Sequence, residues 1–199
     1  MRNTEIYRNN SIKLLKKHNL YSAPVDIKKL AEELNIKVMY EKLDKDISGK
    51  ITYDPNATDN VVVSINNSEN ELRQKFSLAH EIAHYIYDID FSDNQIEIKD
   101  SNIFLRSDIV NPIEKRANKY AERLLMPKNL FKNALLEIKE ELFPNRKNND
   151  FGIDRIYELA QKLSEKFQVS IPAVIMRLFS LEIISESTKI GLFIKHKNQ

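Results

Sequence analysis

The chain has 199 residues, enough to bury a core as one domain or as one domain with a small appendage. Hydrophobic residues make up 42% and charged residues 30%, a balance that fits neither a disordered polyelectrolyte nor a membrane-embedded chain. With 31 Lys and Arg against 29 Asp and Glu, the net charge of +2 carries no mark of a dedicated nucleic-acid binder.

A first helix is expected over residues 2–17. A second follows Pro24, with Asp26 as its N-cap ahead of Ile27, Leu30, Ala31 and Leu34 on one face. Short β-type runs at 36–40, 49–53 and 61–65, separated by turn-forming Asp, Asn and Pro, predict a small antiparallel three-stranded sheet. A long helix should span 69–87. Residues 88–100 carry five acids and one lysine and read as a solvated loop. Pro112 suits the first turn of a helix that runs to Met126 and stops at Pro127. Further helices are expected over 129–142, 153–167 and 171–181, followed by a strand-like tail at 190–195. The polar stretch 143–150 has no periodicity and is the candidate linker. The expected class is therefore α+β and mostly helical. It comprises a domain over 1–142 with the sheet packed on a helix bundle, the linker 143–150, and a helix-turn-helix-like subdomain over 151–199. No apolar run approaches the ~18 residues of a membrane span, and Lys13, Lys16 and Lys17 interrupt the N-terminal apolar residues, so a soluble, cytoplasmic protein is expected.

No cysteine is present, so any metal must be held by Asp, Glu or the four histidines, His18, His80, His84 and His196. Two of these belong to His80-Glu81-Ile82-Ala83-His84, an HExxH pattern inside a predicted helix. Side chains four apart lie one above the other on a helix, so both imidazoles can reach one ion. Glu81, rotated by roughly 100°, reaches the space beside the ion, where it can take a proton from an activated water. On a helical wheel Leu72, Phe76, Leu78, Ala79, Ile82, Ala83 and Ile86 form a wide apolar arc, and Arg73, Ser77, His80, Glu81 and His84 share the remaining sector. The plainer alternative is a pair of core histidines satisfied by hydrogen bonds. A catalytic zinc needs a third protein ligand and an open position. On the helix from Pro112, Glu114 sits at the flank of the face formed by Ile113, Ala117, Tyr120, Ala121 and Leu124, and is the acid best placed to point inward. The alternative for Glu114 is a surface acid favoured by the helix dipole.

The run 76–85 around HExxH, followed by Glu114-Lys-Arg-Ala117-Asn118-Lys-Tyr120-Ala121-Glu-Arg-Leu124-Leu125-Met126-Pro127, resembles the ImmA/IrrE family of zinc metallopeptidases. The stretch from Pro24 through Ala31 is also similar, and the likeness extends over about residues 5–180. The resemblance implies a gluzincin-like centre with one Zn²⁺ per chain, His80, His84 and Glu114 as ligands, and Glu81 as general base. Asn118 stands where such enzymes often carry an Asp that orients a ligand histidine; a neutral Asn still accepts the imidazole N–H but raises ligand basicity less. Ala83 replaces a common Gly, and Asp88 a common His. The donor that would steady the oxyanion stays open among Tyr53, Tyr85, Tyr120, Arg73 and His196. The family's activity implies site-specific cleavage of a helix-turn-helix transcriptional repressor, an anti-repressor role.

The segment 157–178 has the cadence of a helix-turn-helix. Its second helix offers Ile171, Pro172, Ala173, Val174, Ile175 and Met176 where base-reading side chains would be needed, with Arg177 alone as a cation, so direct DNA binding by it is not expected. The alternative function is a non-catalytic regulatory protein that binds a repressor or DNA through these C-terminal helices. Residues 43–100 hold twelve acids and five basic residues, a net of −7 against +9 elsewhere. A basic protein substrate fits that asymmetry, and so does plain solvated loop charge.

Overall fold

The computed structural model describes residues 4–90, 96–101, 111–144 and 152–198. Its elements in order are a 3-10 turn at Glu5–Tyr7, α1 (Ser11–Lys17), α2 (Ile27–Glu33), β1 (Lys37–Glu41), β2 (Ile47–Tyr53), β3 (Val61–Asn66), α3 (Glu71–Tyr87), β4 (Ile96–Ser101), α4 (Pro112–Leu125), α5 (Lys128–Leu142), α6 (Ile153–Phe167), α7 (Ile171–Ser180) and α8 (Glu186–Lys197). The class is α+β and mostly helical. The chain forms two compact units, one of residues 1–21 and 25–125, the other of residues 22–24 and 126–199.

In the first unit the expected helix over 2–17 is broken. Asn9 takes a left-handed φ of 62°, a conformation Asn tolerates well, and Asn10 Oδ1 then accepts from Lys13 N–H to start α1 afresh. Asp26 caps α2 as its sequence position predicts, accepting from Lys29 N–H at 3.0 Å.

The sheet has four strands in the order β1-β3-β2-β4, where three antiparallel strands were expected. β2 pairs antiparallel with both β3 and β4, whereas β1 pairs parallel with β3. The reason lies in burial: Val61, Val63 and Ile65 make β3 the most apolar strand, so it takes a central position, while Lys37, Met39 and Tyr40 leave β1 at an exposed edge. The fourth strand takes up the end of the acidic stretch 88–100 and continues to Ser101. Its Ile96-Glu97-Ile98 alternation pairs with β2, although the surrounding charge suggested solvated loop. Residues 91–95 of that expected loop lie outside the described residues. α3 crosses the sheet, packs on α4, and buries every residue from 77 to 86.

The second unit is helical. Phe131, Leu163, Phe167, Val174 and Leu178 are fully buried there, and Tyr157, Ile175 and Leu192 form a core cluster joining α6, α7 and α8. Gln168 at φ 51° ends α6, and Ser170 Oγ caps α7 by accepting from Ala173 N–H. The expected strand at 190–195 is instead part of α8, which Ser185 caps by accepting from Thr188 N–H. The two-residue alternation of Ile190, Leu192 and Ile194 is also compatible with a helix that buries only Leu192. Of the expected linker 143–150, residues 145–150 lie outside the described residues. No described helix is long and apolar enough to cross a membrane.

Candidate metal centre

Asn70 starts α3, its Oδ1 accepting from Arg73 N–H at 2.9 Å. From there the helix carries His80, Glu81 and His84 into the interior, at 1%, 0% and 0% exposure. Groups so polar are not buried without partners. The partners come from α4, whose first turn supplies Glu114, itself only 5% exposed. Ala117 and Ala121 on the buried side of α4 hold no bulk that would keep it from its neighbours.

Three donor atoms converge. His80 Nε2 lies 2.9 Å from Glu114 Oε2 and 3.0 Å from His84 Nε2, and His84 Nε2 lies 3.5 Å from Glu114 Oε1. The outer ring nitrogens are both engaged: His80 Nδ1 with Asn118 Oδ1 at 2.9 Å, His84 Nδ1 with Asp88 Oδ2 at 2.8 Å. Oxygens of an ionised carboxylate and a carboxamide can only accept, so each Nδ1 donates. In neutral rings both Nε2 atoms are then bare lone pairs, aimed at each other and at a carboxylate. Such a group requires a cation at its focus.

The donor set fits zinc. A tetrahedral ion bonded at ~2.0–2.2 Å separates its N and O donors by about 3.3–3.6 Å; the 3.5 Å spacing of His84 and Glu114 lies in that range, and the 2.9 and 3.0 Å spacings have to open slightly to seat an ion. Among the described residues His80, His84 and Glu114 form a buried group able to hold a metal ion. The electrostatics agree. Burial opposes a charged His84, but hydrogen bonds to Asp88 and Glu114 and the charges of Glu81 and Glu114 outweigh it and lift its pKa to about 10. Burial likewise opposes the Glu114 carboxylate, yet the contacts with His80 and His84 hold its pKa down to about 2. The pocket is thus built to hold positive charge, supplied by protons where no metal is bound.

The structure brings together His80, Glu81, His84, Glu114 and Asn118. It adds Asp88, visible in the sequence only as a departure from the His of relatives. Asp88 follows His84 by four residues, the same helical spacing that pairs the two histidines, and it ion-pairs with Arg116, whose guanidinium lies over the Tyr87 ring. Of the open oxyanion candidates, Tyr120 donates to Tyr7 O at 3.0 Å, Arg73 contacts Ser48 and Glu69, and His196 Nδ1 is paired with the Tyr157 hydroxyl. Tyr53 and Tyr85 are buried. Arg177, the one cation of α7, is buried too, donating from Nε to Met126 O at 3.0 Å.

Residues 31–179 match a peptidase family described as the IrrE N-terminal-like domain. The chain belongs to this family. The match covers every residue of the IrrE-like site, from Glu81 and its flanking histidines to Asn118. No curated protein matches the chain. Among solved structures, a Mycobacterium tuberculosis transcriptional regulator aligns over 89% of this chain at 16% identity with a TM-score of 0.50, a likeness of fold alone. This IrrE-like chain spans about half the length of that regulator, 47% of which is covered.

Proposed function

We propose that the chain is a zinc-dependent endopeptidase that hydrolyses a peptide bond in a helix-turn-helix transcriptional repressor. The observation that carries the reading is the focus of His80 Nε2, His84 Nε2 and the Glu114 carboxylate, with Glu81 buried beside it. His80, His84 and Glu114 would hold the ion, and Asn118 and Asp88 fix the two rings through their outer N–H groups. Zinc, when bound, supplies Lewis-acid polarisation of a carbonyl and a lowered pKa for water. Glu81 takes the proton from the attacking water and passes it to the leaving amine, so that the nitrogen departs neutral. Its complete burial keeps bulk water from competing for that proton.

The repressor as substrate rests on the family resemblance alone. The alternative is a non-catalytic regulator that binds a repressor or DNA through the C-terminal helices; against its DNA half stands Arg177, which is committed to Met126 O and leaves the first turns of α7 with apolar side chains. The test is Glu81→Gln, assayed by zinc content and by cleavage of a purified helix-turn-helix repressor, beginning with any that is encoded beside this chain. We expect stoichiometric zinc and a loss of at least ~10²-fold in cleavage rate. Full activity in that variant would sink the enzyme reading, and steeply salt-dependent DNA binding by the full chain, without cleavage, would favour the alternative.

A further inference from the structure

β2 faces the HExxH helix with two irregularities side by side. Its pairing with β4 slips between Ile47 and Gly49, leaving Ser48 as an extra residue, a β-bulge. Bulges re-aim a strand locally, and this one is fastened to α3. Ser48 is fully buried, its hydroxyl donates to Glu69 Oε1 at 2.8 Å, and it accepts from Arg73 Nη2 at 3.2 Å. Arg73 precedes His80 by seven residues, two helical turns, so the bulge is tied to the face of α3 that carries the histidines.

The next residue, Gly49, meets Glu81. A Cβ built at Gly49 would lie 2.8 Å from Glu81 Oε1, 3.3 Å from its Cγ and 3.4 Å from its Cδ. Ordinary carbon contacts begin near ~3.5 Å, so any side chain at this position collides with the carboxylate. Conformation is not what calls for glycine here, because no glycine in the described chain has positive φ. Space is.

We infer that Gly49 is a positioning residue of the proposed peptidase site: its missing side chain, held in register by the Ser48 bulge, leaves the clearance in which the Glu81 carboxylate stands beside His80, His84 and Glu114. This rests on the reading of Glu81 as proton acceptor. Glu81 is the flexible partner in the contact, so a methyl at position 49 displaces the carboxylate before it displaces the strand. Proton transfer works within a heavy-atom reach of about 2.6–3.2 Å, and a misplacement near 1 Å can cost on the order of 10²-fold in rate. The three atoms nearest to such a Cβ all belong to Glu81 and none to a ligand. The loss therefore falls on turnover and leaves metal binding alone.

The experiment uses the full chain loaded with zinc. Gly49→Ala should bind zinc within about threefold of the parent in a chelator competition, keep KM within about threefold, and lose ~10–10²-fold in kcat. In a Glu81→Ala background, which removes all three atoms that crowd position 49, Gly49→Ala should add less than about twofold to the loss of residual cleavage. A crystal structure of Gly49→Ala should show the Glu81 carboxylate displaced while His80, His84 and Glu114 stay in place. Equal losses in both backgrounds, an unchanged kcat, or an unmoved carboxylate would overturn the inference. If Gly49→Ala fails to fold, Gly49→Ala combined with Glu81→Ala should recover a cooperative thermal melt, and failure to recover would overturn it equally. A parent protein that binds zinc and cleaves nothing defeats the proposed function, whereas the variant's carboxylate position still decides whether Gly49 sets it.

Discussion

His80 and His84 share one focus but have unequal backing: a carboxamide behind the first, a carboxylate behind the second. A charged acceptor on Nδ1 makes the opposite nitrogen a better electron-pair donor and fixes the ring more firmly. Asp88→Asn should therefore weaken zinc binding by about 10–100-fold in a chelator competition, and Asn118→Asp should strengthen it. Equal affinities across the three proteins would show that the outer partners only hold orientation. The grouping of His80, His84 and Glu114 was legible in the sequence because four-residue helical spacing and an inward helix flank are local properties. Asp88 had the same spacing from His84, but its charge merged with the acids that follow, and nothing local separates a helix-end acid that turns inward from one that faces water. The need for Gly49 was not legible at all. It depends on how closely β2 approaches α3, which is a property of tertiary packing.

At the scale of elements, the errors share a cause. β4 was concealed by charge and α8 by a two-residue alternation, and in both cases the deciding term was the partner that covers one face. The parallel placement of β1 likewise depends on competition among strands for the buried centre of the sheet, which no single strand encodes. Helix α2 begins where its Asp26 predicts, because capping is settled within one turn. α4 illustrates how an element serves the site. Ala117, three residues after Glu114, is 1% exposed on the helix that packs against α3. Ala117→Leu should overpack that face, cost about 1–3 kcal/mol in a denaturant melt, and weaken zinc binding by shifting Glu114 away from the histidines. A stable variant with parental zinc affinity would mean that α4 has slack there.

For the whole molecule, the informative fact is where the three ligating side chains lie. His80 and His84 on α3 and Glu114 on α4 all belong to the first compact unit, and the second contributes none of them. A ligand that binds only the folded state stabilises it by RT ln(1 + [L]/Kd), about 4 kcal/mol at a thousandfold excess over Kd. Amides that exchange only when the first unit opens must feel all of that free energy, which slows them by up to ~10³-fold. Hydrogen exchange followed with zinc and then with a chelator should accordingly show strong added protection in peptides from β2, α3 and α4. Peptides from α6, α7 and α8 should change by less than about twofold if their helices open without the metal unit. Equal added protection in both sets would show that the chain unfolds as one cooperative body. In that case zinc would govern the stability of the C-terminal helices as well as of the centre that binds it.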